Sequence, residues 1–172
     1  MGRSMNAFSR SGAVRDGSRG RGLSRVMVWA SLLVVALSLT ACASKPVVSQ
    51  VKLNLAAGAD VNPDARNRPS PITVRVYALK SAASFEAADF FSLFEKDATV
   101  LGADVVSREE LLMRPGDSKP LDMKLPPEAK VLAVFAAYRD LDRARWRTVR
   151  MIEVGKEVKL QIKAGARQIT IE

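Results

Sequence analysis

The chain contains 172 residues, with 27 lysine and arginine residues against 18 acidic ones, and its formal net charge is +9 at pH 7. It has no histidine and a single cysteine. The lack of histidine excludes Ser-His-Asp and Cys-His nucleophile systems and histidine-based zinc sites. One cysteine cannot form a disulfide within the chain.

The first 41 residues have the organisation of a secretory signal peptide. Arginines precede Val26–Leu39, fourteen residues without a charge, and small residues follow. The sequence Leu39-Thr40-Ala41-Cys42 matches the lipobox that lipoprotein signal peptidase recognises. We therefore predict that residues 1–41 are removed and that Cys42 is acylated. The alternatives fit less well, because a spanning helix usually needs about 20 apolar residues and a plain secretory signal needs no cysteine.

The predicted mature chain, residues 42–172, has the size of one domain. Removal of six arginines and one acidic residue leaves 21 basic and 17 acidic residues, a net charge of +4. Most of the excess positive charge thus belongs to the leader, and nucleic acid is not predicted as a partner. Ala43 follows the cysteine. An aspartate there retains lipoproteins in the inner membrane of enteric bacteria, so Ala43 favours the outer membrane.

A linker and a strand begin the predicted domain. Residues 42–49 are predicted to be the acylated N-terminus and linker, and Val51–Leu55 alternates apolar and polar residues as a half-buried strand does. The segment Ala56–Pro71 contains three prolines within nine residues, which favour turns or extended backbone. Long loops of this kind are often functional, although a structural crossover is the alternative. Ile72–Leu79 is predicted to be a strand with Ile72, Val74, Val76 and Ala78 on one face.

The period of the apolar residues changes in the next segment. Between Ser84 and Lys96 the apolar residues recur at helical spacing, and Ser84 is a plausible N-cap. We therefore predict an amphipathic helix within an insertion near residues 84–101. Its phenylalanines are expected to pack over an open edge or end of a sheet rather than to form a ligand site.

The rest of the chain is predicted to be β-structure. Pro115-Gly116-Asp117 is a strong turn signal, and the near-continuous apolar character of Lys130–Arg139 indicates a central strand. The other predicted strands are Val105–Met113, Leu121–Leu125, Arg147–Ile152, Val158–Ile162 and Ile169–Ile171. About eight short strands at this spacing predict a mainly β protein, a two-sheet sandwich over residues 50–172.

Candidate catalytic groups are few. Asp140 and Asp142 lie two residues apart and could serve in acid–base chemistry or bind a cation. The arginines around them, between Arg139 and Arg150, instead favour a charge-paired turn. Trp146 and its arginine neighbours could be interface residues, but packing of the tryptophan in the sandwich, and pairing of Arg139 or Arg147 with Asp140, explain them more simply.

Several motifs in fixed order resemble those of the type VI secretion lipoprotein family TssJ (VasD, SciN). The sequence is similar to this family at Asn62-Pro63-Asp64, at Arg68 through Leu79, at Phe85 through Phe94, at Leu101-Gly102, at Arg114-Pro115-Gly116, and at Ala137-Tyr138-Arg139-Asp140 with Trp146-Arg147. These segments cover nearly all of the predicted mature chain. The lipobox and the ordered motifs together make the resemblance specific.

The resemblance implies a fold similar to transthyretin, with an added helical element, in an outer-membrane lipoprotein that faces the periplasm. It also implies binding to the C-terminal periplasmic region of TssM, within a complex that contains TssL. The resemblance further implicates the loop between the first two strands in contacting TssM. Its exposed candidates in this chain are Asp60, Asn62, Asp64, Arg66, Asn67 and Arg68. Alternatively, Asn62-Pro63 and Arg68 through Pro71 set the shape of the loop.

Two other functional classes remain open from the sequence. A lipid-anchored periplasmic carrier would use the sandwich interior or the phenylalanine cluster to hold a small ligand. It would need an apolar pocket of several hundred Å³, whereas a scaffold would have a filled core. An enzyme would need converging polar groups, which the sequence does not indicate. We therefore expect a non-enzymatic protein without a cofactor, a metal or a small-molecule substrate.

Overall fold

A computed structural model describes residues 48–172 of the chain. The predicted signal peptide and lipobox, Leu39, Thr40, Ala41 and Cys42, lie outside the described residues. No helix within the described part of the chain combines the length and the apolar character that crossing a membrane requires.

Eight strands and two helices follow one another along residues 48–172. In the first half β1 (Ser49–Ala57) and β2 (Ile72–Leu79) precede two helices, α1 (Ala83–Ala87) and α2 (Phe90–Leu101), and a 3-10 turn (Gly102–Asp104). The remaining strands are β3 (Val105–Met113), β4 (Ser118–Leu125), β5 (Val131–Ala136), β6 (Arg147–Met151), β7 (Glu157–Ala164) and β8 (Ile169–Ile171).

The strands form two four-stranded sheets, with the orders β4-β1-β7-β8 and β3-β2-β5-β6. The pair β1–β7 is parallel and all other pairs are antiparallel. The predicted eight-stranded sandwich with a small helical insertion is therefore confirmed. The strand predicted over Lys130–Arg139 is shorter, because the chain leaves the sheet after Ala136.

The space between the sheets is filled by alternate residues of the strands. Ile72, Val74, Val76 and Ala78 of β2 all face this core, as their spacing predicts. They meet residues such as Leu53 of β1 in one continuous buried cluster. Burial of this apolar surface is the main stabilising contribution to the fold.

Strands β2 and β5 are buried on their second face as well. Their other residues, including Tyr77 and Phe135, form a second apolar cluster with Phe85 of α1 and Leu93 of α2. The helices therefore cover the outer face of the second sheet, and the expectation that their phenylalanines pack over an edge or end was wrong. The two-sided burial explains why β5 is apolar at every position.

The predicted single helix is divided by an extended residue. Ala88 has extended backbone, and Asp89 caps α2 by accepting a hydrogen bond from the Ser92 N–H at 3.0 Å. Ser84 was predicted as the N-cap, but it lies inside α1, and its hydroxyl hydrogen-bonds the Asp104 carboxylate at 3.0 Å.

A buried arginine holds α2 on the sheet. Arg75 is 8% exposed, and its Nη1 donates to the carbonyl oxygens of Leu93 and Phe94 at 3.0 and 2.9 Å. The Phe94 carbonyl is accessible because the helix is kinked at Lys96 and the Ala98 N–H bonds the Asp97 side chain instead. The guanidinium group also bonds Glu110 at 2.8 Å and lies 5.4 Å from the Phe94 ring centroid.

We predict that Arg75→Met destabilises the domain by about 2–3 kcal/mol, because it leaves the Leu93 and Phe94 carbonyls without their donor and removes a buried positive charge 3.7 Å from Asp97. Glu110→Gln is the control, since this more exposed carboxylate is expected to contribute less than about 1 kcal/mol. Urea unfolding followed by circular dichroism measures both. Equal midpoints for the two variants would contradict this role of Arg75.

Candidate partner-binding surface

Four connections meet at one end of the sandwich, which we call the loop end. They are the β1–β2 loop (residues 58–71), the β3–β4 turn (114–117), the β5–β6 loop (137–146) and the β7–β8 turn (165–168). They lie together because of the strand directions. Since β1 and β7 are parallel, both strands end here, and since β2 and β5 are antiparallel, β2 begins where β5 ends. The predicted loop Ala56–Pro71 is thus a real connection, but it begins at Gly58.

Asn62 fixes the base of the β1–β2 loop. Its Oδ1 accepts a hydrogen bond from the Arg139 N–H at 2.9 Å, and its Nδ2 donates to the Pro71 carbonyl at 2.9 Å. The residue is 3% exposed and has a φ of 50°, a left-handed conformation that asparagine tolerates well. The prediction that Asn62 is exposed was therefore wrong, and its bonds agree with the alternative, that it sets the shape of the loop.

Asp64 organises the tip of the same loop. Its Oδ1 accepts hydrogen bonds from the backbone N–H groups of Arg66 and Arg68 at 2.8 and 2.9 Å. Its Oδ2 is 2.8 Å from Arg68 Nε and 2.7 Å from Arg68 Nη2. These bonds, led by the Arg68 side chain, lower the pKa of Asp64 to about 2. The loop tip is therefore held in one conformation by its own residues.

The other predicted contact residues differ in how available they are. Asp60, Arg66, Asn67 and Arg68 are exposed, whereas Asp64 is half-buried. Arg68 is engaged with Asp64, but Arg66 makes no ion pair with any described residue. Arg66, like the exposed Asp60, can thus contact a partner without first breaking an ion pair between described residues.

The β5–β6 loop is tied to the β7–β8 turn. The hydroxyl of the buried Tyr138 donates to the Gly165 carbonyl at 3.0 Å, and burial raises the pKa of this tyrosine. Arg167 Nε lies 3.1 Å from Asp140 Oδ2, and Arg143 Nε lies 4.0 Å from it. The charge-paired turn predicted around Asp140 is present, but its partners are Arg167 and Arg143 rather than Arg139 or Arg147.

Trp146 and Arg147 have structural roles. The indole ring packs on Phe90 and Phe135, with centroid distances of 5.4 and 5.6 Å. The Arg147 guanidinium lies over the same indole at 4.6 Å and donates to the Phe85 and Ala88 carbonyls at the end of α1. This arrangement confirms the interpretation of Trp146 as a packed residue and adds a stabilising contact at the C-terminus of α1.

An open cleft of about 580 Å³ separates the β1–β2 loop from the β5–β6 loop and the β7–β8 turn. Its lining includes Asp64 and Asn67 on one side and Arg139, Arg143 and Arg167 on the other. Sequence reasoning missed Arg143 and Arg167 as site residues, although Arg143 belongs to the basic run after β5. The cleft is polar and open, unlike the closed apolar pocket that a small-ligand carrier requires.

Neither a metal site nor an unsatisfied polar group is found in residues 48–172. No three acidic or thiol side chains there are grouped as metal ligands. Every buried side-chain nitrogen and oxygen in this part of the chain has a hydrogen-bond partner.

We predict that Asn62→Gly lowers the free energy of unfolding by about 2 kcal/mol, because two buried hydrogen bonds are lost at roughly 1 kcal/mol each while the positive φ is retained. Asn67→Gly is the matched control. Asn67 has a φ of 58° but is exposed, so this change should stay within about 0.5 kcal/mol of the parent. Chemical denaturation compares the two, and similar losses would argue against an anchoring role for the Asn62 side chain.

Comparison with known proteins places these features in a family. The family model described as "Type VI secretion lipoprotein, VasD, EvfM, TssJ, VC_A0113" matches residues 49–167. No curated protein sequence matches the chain.

Three solved structures illustrate the similarity. The T6SS lipoprotein TssJ1 from Pseudomonas aeruginosa is 36% identical, with a TM-score of 0.70 over 74% of this chain and 95% of that one. Serratia marcescens Lip, a membrane bound component of the Type VI Secretion System, is 30% identical, with a TM-score of 0.68 over 74% and 96%. A chain in a structure described as "T6SS protein TssM C-terminal domain (869-1107) from EAEC" is 27% identical, with a TM-score of 0.61 over 72% and 97%.

Proposed function

Since this chain belongs to the type VI secretion lipoprotein family TssJ/VasD, we propose that it is a structural, non-enzymatic lipoprotein of the type VI secretion membrane complex. In this proposal acylated Cys42 holds it on the periplasmic face of the outer membrane. Its loop end binds the periplasmic C-terminal domain of TssM, in a complex that also contains TssL. The protein then links the outer membrane mechanically to the rest of the apparatus.

One observation carries the choice of partner. A chain of this fold is matched in a structure described as the TssM C-terminal domain, and the match extends over almost the whole of that chain. The family model matches this chain over residues 49–167, which include the β1–β2 loop.

The geometry of the loop end supports its use as the binding surface. Asp64 and Asn62 order the β1–β2 loop before any partner arrives, so binding costs little additional conformational entropy. Exposed arginines, Arg66 on this loop and Arg139 and Arg143 beside it, give the surface a positive rim. A partner with acidic residues at the matching positions would be complementary to it.

Arg66→Glu is predicted to weaken binding to a TssM C-terminal fragment, on the order of tenfold, because it reverses an exposed charge that no described residue neutralises. Isothermal titration calorimetry or surface plasmon resonance measures the affinity.

Two further variants make the Arg66 test specific. Lys159→Glu is the control, since Lys159 is exposed on β7 and lies away from the loop end. Arg68→Glu should reduce binding as well, but it also breaks the bonds to Asp64, so its effect mixes contact with loop order. Unchanged affinity for Arg66→Glu and Arg68→Glu together would refute the loop as the binding surface.

The lipid anchor accounts for attachment to the membrane. Each buried CH₂ contributes about 0.8 kcal/mol, so one acyl chain binds only marginally, whereas the three chains of a processed lipoprotein hold essentially permanently. Ala43 after the cysteine supports the outer membrane as the destination.

Cys42→Ser is expected to give a folded protein that no longer fractionates with membranes and no longer incorporates labelled palmitate. The domain should keep its stability, because Cys42 precedes the first strand, which begins at Ser49. Subcellular fractionation and palmitate labelling test this directly, with the parent protein as the reference. Continued labelling of Cys42→Ser would refute the assignment of the anchor.

A further inference from the structure

The end of the sandwich opposite the loop end carries the start of β1, and we call it the tether end. The β4–β5 loop (residues 126–130) and the β6–β7 turn (152–156) lie at this end with the N-terminus of the domain. The Ser49 hydroxyl accepts a hydrogen bond from the Gly155 N–H at 2.8 Å, and the Gln50 N–H donates to the Lys156 carbonyl at 3.2 Å. The first residues of the domain are therefore fixed to the β6–β7 turn.

Three of the six large apolar side chains that are exposed in residues 48–172 lie at this tether end. Val48, Met151 and Val154 are 43%, 71% and 41% exposed. Val48 and Val154 each directly precede a residue of the Ser49–Gly155 hydrogen bond, so they flank the same contact. Met151 ends β6 beside Ile152, whose N–H bonds the Lys130 carbonyl in the neighbouring loop.

Exposed lysines lie at the same end of the sandwich. Lys80, Lys124 and Lys130 are exposed and make no ion pair with a described residue. Two acidic residues of the same end, Glu153 and Glu157, are paired with Lys156 and Lys52, which leaves Glu128 as an exposed acid in the β4–β5 loop. An end of the domain that carries both exposed apolar side chains and unpaired lysines suits an interface in which lipid tails and phosphates are adjacent.

The length of the chain before the domain limits where this end can lie. Six residue steps separate Cys42 from Val48, and six extended residues span at most about 22 Å. If Cys42 is acylated, as the proposed function requires, Val48 cannot be farther than that from the lipid surface. The apolar residues of the tether end are thus confined close to a bilayer.

We propose that the tether end rests on the phospholipid surface in which Cys42 is anchored, with Met151 and Val154 in contact with lipid and the lysines facing phosphate. The inference rests on the proposed lipid anchor and adds a second, non-covalent membrane contact. It also fixes the orientation of the molecule, because the loop end then points away from the bilayer.

Environment-sensitive labels test this orientation in the full-length acylated protein. Cys42 is the only native cysteine, and its sulfur is blocked by lipid, so Met151→Cys and Val154→Cys can each carry one NBD fluorophore. Leu112→Cys is the matched control, because Leu112 is an apolar residue that is 57% exposed and lies in the part of β3 nearest the loop end. Each protein is reconstituted in phosphatidylcholine–phosphatidylglycerol vesicles with and without nitroxide-labelled lipids.

The expected result is a shift to shorter wavelength and nitroxide quenching for the labels at 151 and 154, with neither for the label at 112. If the labelled proteins float with the vesicles but the labels at 151 and 154 are not quenched, the proposed contact is refuted and the lipid anchor is retained. A wavelength shift without nitroxide quenching would show that another protein copy, not lipid, covers this end, and would also overturn it. Failure of the parent protein to float would instead refute the lipid anchor itself.

Discussion

Burial of β2 and β5 on both faces is the constraint on which the rest of this structure depends. A second sheet closes one face of these strands, and the other face needs a separate cover, which α1 and α2 provide. The cover is held by a buried guanidinium group, since Arg75 bonds carbonyls that the kinked helix leaves free. The domain is therefore a three-layer structure, and its small helices belong to its core.

The two ends of the sandwich have different chemistry because the sheets separate the connections into two sets. At the loop end, side chains bond the backbone of neighbouring loops: Asn62 joins the β1–β2 loop to the β5–β6 loop, and Tyr138 joins the latter to the β7–β8 turn. On the exposed part of the β1–β2 loop, Arg66 makes no ion pair with a described residue, whereas Arg68 is bonded to Asp64. At the tether end the β4–β5 loop and the β6–β7 turn are short, and Val48, Met151 and Val154 lie exposed within or beside them. One end is thus suited to a protein partner and the other to a lipid surface.

The sequence predicted the fold better than the site, and particular residues show why. The strand Ile72–Leu79 was predicted with its exact bounds, because the alternation of its inner residues follows directly from strand geometry. Asn62 was predicted as exposed, because nothing local reveals that its amide would meet Arg139, 77 residues away. The interruption between α1 and α2 at Ala88 and Asp89 was not predicted for a related reason. The helical spacing of the apolar residues continues across these two extended residues. Long-range hydrogen bonds and charge partners such as Arg167 with Asp140 depend on tertiary structure, so one-dimensional patterns do not predict them.

In the proposed function the position of β1 determines how force passes through the protein. The lipid anchor precedes the N-terminal end of β1, and the β1–β2 loop that contacts the partner follows its C-terminal end. A load between membrane and partner therefore runs along the covalent backbone of one nine-residue strand. No hydrogen bond between strands has to carry that load alone. Because β1 lies between β4 and β7, any displacement of it along its axis would shear two ladders at once, so the sandwich holds in register the strand that joins anchor to interface.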